Sequence, residues 1–443
     1  MLAPGVVHLG LGAFHRAHEA LVFDSLLQRG DPRWSIFGVA MRSPLWADAL
    51  AAQDGLYSVQ VNSADEQHWH VTRAIRTTCV AARDPDRVAA AIAAAETRWI
   101  TLTVTEKGYT PELAGLLVRG LAQRRQAAGS GLTIASCDNL RRNGDLLSAL
   151  CRQAAATPSM RDWLETQCTF PNSMVDRIVP AATDRCRDEA AQVLGLTDEA
   201  ALTTEAFWEW VLEDRLAEPS DAEALRAAGV TVVADVLPFE AAKLRMLNGA
   251  HSALACFGAV LGLATVAECI ARPDIRLFLH HLLTREVMPN LARPDLATYR
   301  DALMTRFANR SLRHSVHQIA SDFSEKIPQR WVPSVLAQLR QGQPVEHLAF
   351  VAALWVRYCL GEDADGHRYT LADPLAGPLH TAAQVHRDDP EASVKALLSL
   401  ASIWGDELPR HTRWLARVTM WLVSIRSNGV AASLHELSGN RAG

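Results

Sequence analysis

Short β-rich runs alternate with helical patterns up to about residue 238, and beyond that point the strand signal stops. Val6–Leu9 is an apolar run leading into a glycine turn, residues 15–28 read as a helix, and Ser35–Ala40 is a second strand. Trp99–Val104 and Leu132–Ser136 are two more, separated by a helical stretch near 111–128, and Val230–Val236 reads as a late strand closing this half. Alternation of this kind predicts a parallel sheet with crossover helices. From Phe239 onward only helical patterns remain, at 239–271, 274–290, 296–308, 331–341, 345–360, 391–403 and 409–426. The expected architecture is an α/β domain over residues 1–238 followed by a mostly α-helical domain over 239–443, with loops around 217–221 and 361–371. A chain of 443 residues exceeds what one core ordinarily serves, in keeping with more than one domain.

A net charge of -5 gives no electrostatic case for nucleic acid or an anionic membrane surface as partner. The eight cysteines are scattered and form no CxxC pair, which predicts reduced thiols, no zinc site and no metal. The N-terminus lacks the basic region of a signal peptide. The longest uncharged run, Ser252–Ala267, is shorter than the roughly 18–20 residues of a membrane span and reads as a buried core helix. A cytoplasmic monomer or small homo-oligomer is expected.

Gly10-Leu11-Gly12-Ala13-Phe14-His15 follows the first strand and opens a helix. Such a turn aims backbone N–H groups and a helix N-terminus at a pyrophosphate. His15 stands where the usual G-x-G-x-x-G has its third glycine, so an ordinary tight turn is an equal reading of the run alone. Its place at the head of a βαβ pattern favours the dinucleotide, with Gly10, Gly12, Ala13 and Phe14 as contacts. The second strand ends in Met41-Arg42-Ser43, without an acidic residue for a ribose 2′-hydroxyl. Arg42 either faces a 2′-phosphate or is a solvated loop arginine, which leaves NAD against NADP open. Thr103–Tyr109 ends a later strand, where sheet ligands gather, and makes Thr105 and Glu106 candidates. Ser136–Asn139 does the same after the next strand, Asn139 being either a site residue or the cap of a helix from Leu140. Phe170–Arg177 reads as a loop dense in special residues.

The chemistry concentrates at the start of the helical half, in Pro238–His251. On one helix at about 100° per residue, with Lys243 at zero, Glu240 falls near 60°, His251 near 80° and Asn248 near 140°. A carboxylate, an amine, an amide and an imidazole then share one face just past a domain boundary, where ligands tend to sit. Lysine with a lowered pKa exchanges a hydroxyl proton near neutral pH, and an amide N–H stabilises a developing alkoxide. The alternative is a solvated face with a Glu–Lys pair, disfavoured by the uncharged run that follows.

HLGLGAFHRAH, VTEKGY, SCDNLRRNG, FPNSMVDRIVP, PFEAAKLRMLNGAHS and SDFSEKIPQR, in that order, resemble the mannitol dehydrogenase family, the polyol-specific long-chain dehydrogenases and reductases. The K-x4-N-x2-H spacing at 243, 248 and 251 is the most specific element. The resemblance implies a Rossmann-type N-terminal domain, a helical C-terminal domain and metal-independent hydride exchange with NAD, NADP being the alternative. It further implies that Lys243 is the general acid/base, that Asn139 and Asn248 hold the substrate oxygen, that His251 orients the substrate, and that Glu240 serves a proton path. Glu106 and Lys326 resemble an acid–base pair flanking the site, and Asp176 contacts a substrate hydroxyl or steadies its loop.

Two departures bear on the substrate. Asp322-Phe323-Ser324 replaces an expected D-G-S, and His317-Gln318 stands where mannitol-type members tend to carry an arginine. Leu312-Arg313-His314 and IPQRW look more like the fructuronate reductase (D-mannonate oxidoreductase) branch, with Arg313 and His314 as candidates for a substrate carboxylate. The expected reaction is reduction of D-fructuronate to D-mannonate. Mannitol 2-dehydrogenase or arabinitol dehydrogenase activity is the alternative, and a non-catalytic dinucleotide sensor is a further one.

Overall fold

The computed structural model describes residues 3–63, 66–310 and 314–439. The chain forms two compact units, Met1–Phe239 and Glu240–Gly443. The strands of the first are β1 (Val6–Leu9), β2 (Ile36–Ala40), β3 (Tyr57–Asn62), β4 (Gln67–Thr72), β5 (Ile75–Val80), β6 (Trp99–Leu102), β7 (Thr133–Ser136), β8 (Ser173–Asp176), β9 (Leu202–Glu205), β10 (Glu209–Glu213) and β11 (Thr231–Val233).

Five of them make an all-parallel sheet in the order β5-β2-β1-β6-β7. The chain winds outward from β1 through β2 to one edge, returns to β6, and winds to the other edge, so the order reverses between β1 and β6. This is a Rossmann-type doubly wound sheet, and its ligand crevice lies beyond the carboxyl ends of those two strands. Residues within a strand alternate between faces. Val6, Ile36 and Trp99 join a core with Phe23 and Trp34, whereas Val7, Phe37 and Ile100 join another with Val88, Leu117 and Leu147. Both faces are covered, which explains why the strands read as continuous apolar runs.

Two three-stranded sheets, β11-β10-β8 and β4-β3-β9, complete this unit. They correct two expectations. The late strand predicted at Val230–Val236 shortens to β11 and pairs with β10 rather than joining the main sheet. Phe170–Arg177, expected as a loop, contains β8, antiparallel to β10.

In the second unit, among the described residues, only isolated bridges interrupt the helices. The segment expected as one helix over 239–271 divides into Leu237–Ala242, a π-helical turn Lys243–Asn248, the helix Gly249–Leu261 and the helix Val266–Ala271. Gly262, at φ +67°, ends the third of these, and Thr265 with Glu268 forms a capping box for the last. Gly249–Val260 is buried throughout, and the helix packs against those at Glu346–Tyr358 and Val316–Ala320. The long helix Thr412–Gly439, kinked at Gly429, covers Glu346–Tyr358 from outside. No helix among the described residues is long and apolar enough to cross a membrane. All eight cysteines are buried and free.

Candidate active site

In the first unit the glycine turn sits at the reversal of strand order. Gly10 has φ +110°, and a Cβ there would stand 2.2 Å from the carbonyl oxygen of Thr103, so the position accepts only glycine. Gly12 is the opposite case: nothing lies within 4 Å of where its Cβ would be, and the space above the turn is open. Ala13 and Phe14 begin the short helix Ala13–Ala17, with Phe14 stacked on His18 at 4.9 Å.

His15, in place of the third glycine, is fully buried and stacks on His8 with ring centroids 3.2 Å apart. His8 Nε2 lies 2.9 Å from the Gly10 carbonyl oxygen, and Thr101 Oγ1 is 2.8 Å from His8 Nδ1. Thr103 Oγ1 donates to the same Gly10 carbonyl at 2.8 Å. Burial pushes both imidazoles down, so both are neutral at neutral pH. A polar stack thus holds the turn from below, where the usual fingerprint relies on close helix–strand contact.

A cavity of about 520 Å³ opens at the carboxyl ends of β2, β5 and β6, lined by Met41, Arg42, Ala81, Ala82, Val104 and Thr105 among others. Arg42 is exposed at its mouth, and its charge acts on the Glu112 carboxylate. Thr105 and Glu106 are exposed. Thr105 takes a left-handed conformation, φ +65°, unfavourable for a β-branched residue. Two hydrogen bonds hold it: Asp138 accepts from Thr105 N at 2.7 Å and from Val104 N at 3.1 Å. Tyr109 Oη bonds Ser136 Oγ and lies 3.2 Å from Asp138. Burial pushes the Asp138 carboxyl up to about 6 against the pull of these bonds.

Asn139 is exposed just past β7, and its expected capping role is corrected. The following helix begins at Asn143, with a left-handed Arg142 in the cap position. Asn143 Nδ2 is near the carbonyls of Ser136, Asp138 and Ser173, and its Oδ1 accepts from Ser173 N. Asp138 and Asn143, both inside a motif the sequence singled out, therefore tie the ends of β6, β7 and β8 together. Asp176 ends β8 and is buried. The neighbouring Arg177 donates to the Glu205 and Ala17 carbonyls. With the open Gly12 and the strand-end cavity, these residues fit a dinucleotide.

In the second unit the π turn carries the chemistry. Lys243 is its first residue and Asn248 its last. The expected 140° between them assumes an ideal α-helix and is corrected. A π turn closes i→i+5, so residues five apart come round to nearly the same face. Glu240, buried, precedes the turn, and His251, 8% exposed, follows it in the first turn of Gly249–Leu261. Ala242, Met246 and Leu247 are buried.

Carbonyls at the π–α junction take side-chain donors. Arg330 Nη1 donates to Asn248 O at 3.1 Å and to Ser252 Oγ at 2.8 Å, and Trp331 Nε1 donates to Gly249 O at 3.0 Å. Burial pushes the Arg330 guanidinium down to about 10. The sequence singled out the IPQRW run without assigning these two residues a role. Lys326 donates to the Ile319 carbonyl at 3.2 Å and to that of Ser321, and burial lowers its pKa. Asp322 caps the helix Phe323–Arg330 in a left-handed conformation. Phe323, in place of the expected glycine, is buried against Trp331 and Tyr358.

His251 is flanked by Phe307 at 4.8 Å and by His314 at 5.3 Å. Burial pushes His251 well down, helped by the neighbouring His314, which disfavours two charged rings side by side, and by the charges of Arg306 and Arg330. Arg313 lies outside the described residues. Elsewhere, Asp363, Asp365 and His367 bring ligand atoms within 4.8 Å of one another in an exposed loop. Asp363 already accepts from the backbone N–H groups of Asp365 and His367.

Two family models match the chain: the mannitol dehydrogenase Rossmann domain over residues 4–222 and the mannitol dehydrogenase C-terminal domain over 235–425. D-mannonate oxidoreductase of Escherichia coli (strain K12) is 36% identical, over 94% of this chain and 91% of its own. Mannitol 2-dehydrogenase of Pyricularia oryzae is 34% identical, over 97% and 92%. Among solved structures, mannitol 2-dehydrogenase of Pseudomonas fluorescens in a ternary complex with NAD and D-mannitol aligns with a TM-score of 0.79 at 30% identity, covering 98% of this chain and 94% of that one. A D-sorbitol dehydrogenase in substrate-free form aligns at 0.90 and 30%, covering 98% and 95%. With both domain models matched and relatives aligned over nearly its whole length, the chain belongs to the mannitol dehydrogenase family of oxidoreductases.

Proposed function

We propose that the protein is an NAD(H)-dependent reductase of a keto sugar acid, with D-fructuronate to D-mannonate as its reaction. The observation that carries the chemistry is the π turn, which has Lys243 as its first residue and Asn248 as its last, with a neutral, buried His251 in the first turn of the helix that follows. When bound, a nicotinamide would supply hydride to the carbonyl carbon or take it from the carbinol carbon. In reduction Lys243 gives an Nζ proton to the carbonyl oxygen, and in oxidation the neutral amine takes the hydroxyl proton. Asn248 and Asn139 donate N–H groups to that oxygen as negative charge develops on it. His251 orients the substrate, Glu240 serves proton exchange with solvent, and Asp176 meets a substrate hydroxyl or steadies its strand. Lys326, bonded to the Ile319 and Ser321 carbonyls, shapes its own loop in the second unit, and Glu106 follows β6 in the first. The glycine turn and the strand-end cavity support the dinucleotide assignment, with Gly10, Gly12, Ala13, Phe14, Arg42 and Thr105 as its surroundings.

For the acid substrate, the support is the likeness to D-mannonate oxidoreductase together with the positive charges of Arg306 and Arg330 that act on His251. The second reading is a mannitol or arabinitol dehydrogenase, favoured by mannitol 2-dehydrogenases of nearly equal identity. Catalytic efficiency on fructuronate against fructose with NADH decides between them, with mannitol and arabinitol tested in reverse. Turnover of neutral polyols and none of fructuronate transfers the protein to the second reading.

A further inference from the structure

His8 is fully buried in β1, and nothing in the proposed chemistry uses it. Its Nε2 lies 2.9 Å from the Gly10 carbonyl oxygen. A carbonyl only accepts, so Nε2 carries the ring hydrogen and donates it. Nδ1 then accepts from the Thr101 hydroxyl at 2.8 Å, which is the arrangement of a neutral ring. Thr103 Oγ1 donates to the same Gly10 oxygen at 2.8 Å. Donors on two neighbouring strands therefore fix the direction of this one carbonyl.

His15 fixes the ring that donates. It lies over His8 with centroids 3.2 Å apart and planes inclined by 11°. His15 is held in turn by Glu19, whose Oε2 is 3.3 Å from His15 Nδ1 and whose Oε1 is 3.4 Å from His18 Nδ1. His15 Nε2 is buried and has no hydrogen-bond partner, so that edge of the ring holds nothing and the ring serves by its contact with His8. Burial keeps both imidazoles neutral, which spares the stack two like charges face to face.

A trans peptide is planar, with its C=O and N–H on opposite sides. Drawing the Gly10 carbonyl inward therefore turns the Leu11 N–H outward. That N–H finds no acceptor among the described residues, whereas the next one, of Gly12, closes back onto the Gly10 carbonyl at 2.7 Å. The space above Gly12 is open. An unbonded N–H on a glycine turn, where the strand order reverses, suits an anionic oxygen. We propose that His8, clamped by His15, is a positioning residue for the cofactor: it orients the Gly10–Leu11 peptide so that the Leu11 N–H meets the pyrophosphate of the dinucleotide. This deepens the dinucleotide reading above and rests on it.

The experiment is fluorescence titration of the full chain with NADH, with a thermal melt of each variant to show that it is folded. His8→Leu, which lacks the donor, is expected to weaken NADH by about tenfold or more, the scale of one hydrogen bond to a charged group. His8→Gln, whose amide nitrogen can reach the same carbonyl, is expected to stay within about threefold of the wild type. A histidine that only fills space would not make the affinity follow the donor. His8→Leu with unchanged affinity, or His8→Gln as weak as His8→Leu, overturns the proposal. Should either variant fail to fold, Thr103→Val decides, because it removes the other donor to the Gly10 carbonyl at nearly constant shape. A loss of about fivefold or more is then expected, and no loss overturns the proposal. Gly12→Val tests the dinucleotide reading itself. Gly12 has an extended backbone, φ -72° and ψ 175°, that valine adopts without strain, and the added side chain enters the open space above the turn. NADH binding is expected to be lost. Gly12→Val with wild-type affinity removes the dinucleotide from the turn and the role of His8 with it. Loss in Gly12→Val with none in His8→Leu removes His8 alone.

Discussion

At the level of single residues, Lys243 bears the greatest load, because it is the group proposed to move the proton. Lys243→Ala is expected to slow hydride transfer by about 10²–10⁴-fold while leaving dinucleotide affinity within a few-fold. Single-turnover absorbance at the nicotinamide band and a fluorescence titration read the two effects separately. Near-normal turnover in the variant removes lysine from the mechanism. Since only the neutral amine accepts a proton, the oxidation rate should climb with pH in the wild type and lose that dependence in the variant. Arg42 governs a smaller quantity. It stands exposed at the mouth of the strand-end cavity, where solvent and salt screen its pull on a 2′-phosphate. NADH is therefore expected to be preferred. Arg42→Ala should leave NADH efficiency within about threefold and cut NADPH efficiency by about tenfold, equivalent to about 1.4 kcal/mol. A wild type that is more efficient with NADPH reverses this assignment of Arg42.

Among the elements, the π turn and the glycine turn show what a sequence reveals and what it withholds. The crossover sheet is legible because strands covered on both faces must be continuous apolar runs, as Val6–Leu9 and Trp99–Leu102 are. The hairpin of β3 and β4 went unread although Tyr57, Val59 and Val61 alternate, because its second strand carries Gln67, His68 and His70 and has no apolar periodicity. The spacing of Lys243, Asn248 and His251 is legible too. The π register is not, since α and π turns use the same residues and differ only in which carbonyl each N–H finds. Its side-chain partners, Arg330 and Trp331, lie 82 residues further along the chain. The π register yields its own test. Deleting Leu244, which is half-buried, should convert the turn towards α geometry, keeping Lys243 and Asn248 on one face but changing the distance between their side chains by about 1 Å, a misplacement that costs about 10²-fold in a positioned site. Far-UV circular dichroism is expected to stay near wild type while turnover falls by more than about 100-fold. Retention of turnover within about tenfold would show that the wider turn has no part in the chemistry.

Across the whole molecule, buried histidines make stability depend on pH in both units. His8 and His15 lie beneath the glycine turn of the first unit, and His251 and His314 lie in the second. Burial pushes all four below their ordinary value of 6.5. Below about pH 6.5 the unfolded chain takes up protons that the folded chain refuses, so the stability of the fold must fall as the pH falls. The slope is up to about 1.4 kcal/mol per pH unit for each such histidine. Glu19 acts in the same sense: although burial opposes its ionisation, His15 and His18 hold its carboxyl well below the usual range. Its contribution is present above the unfolded carboxylate value and is lost as the pH drops towards the folded one. Asp138 works the other way, since its carboxyl is raised to about 6 and gains protons on folding between about pH 4 and 6. One carboxyl against four imidazoles leaves the balance with acid destabilisation. Urea midpoints are expected to be level between about pH 7 and 9 and to decline steadily from about pH 6.5 downward. Hydrogen exchange of the β1 amides and of the Gly249–Leu261 amides assigns that decline to each unit. His251→Gln should lessen it in the helical unit alone, where His314 remains, leaving the β1 amides as sensitive as before. A midpoint unchanged from pH 7.5 to 5.5 would mean that the histidines take up protons within the folded state.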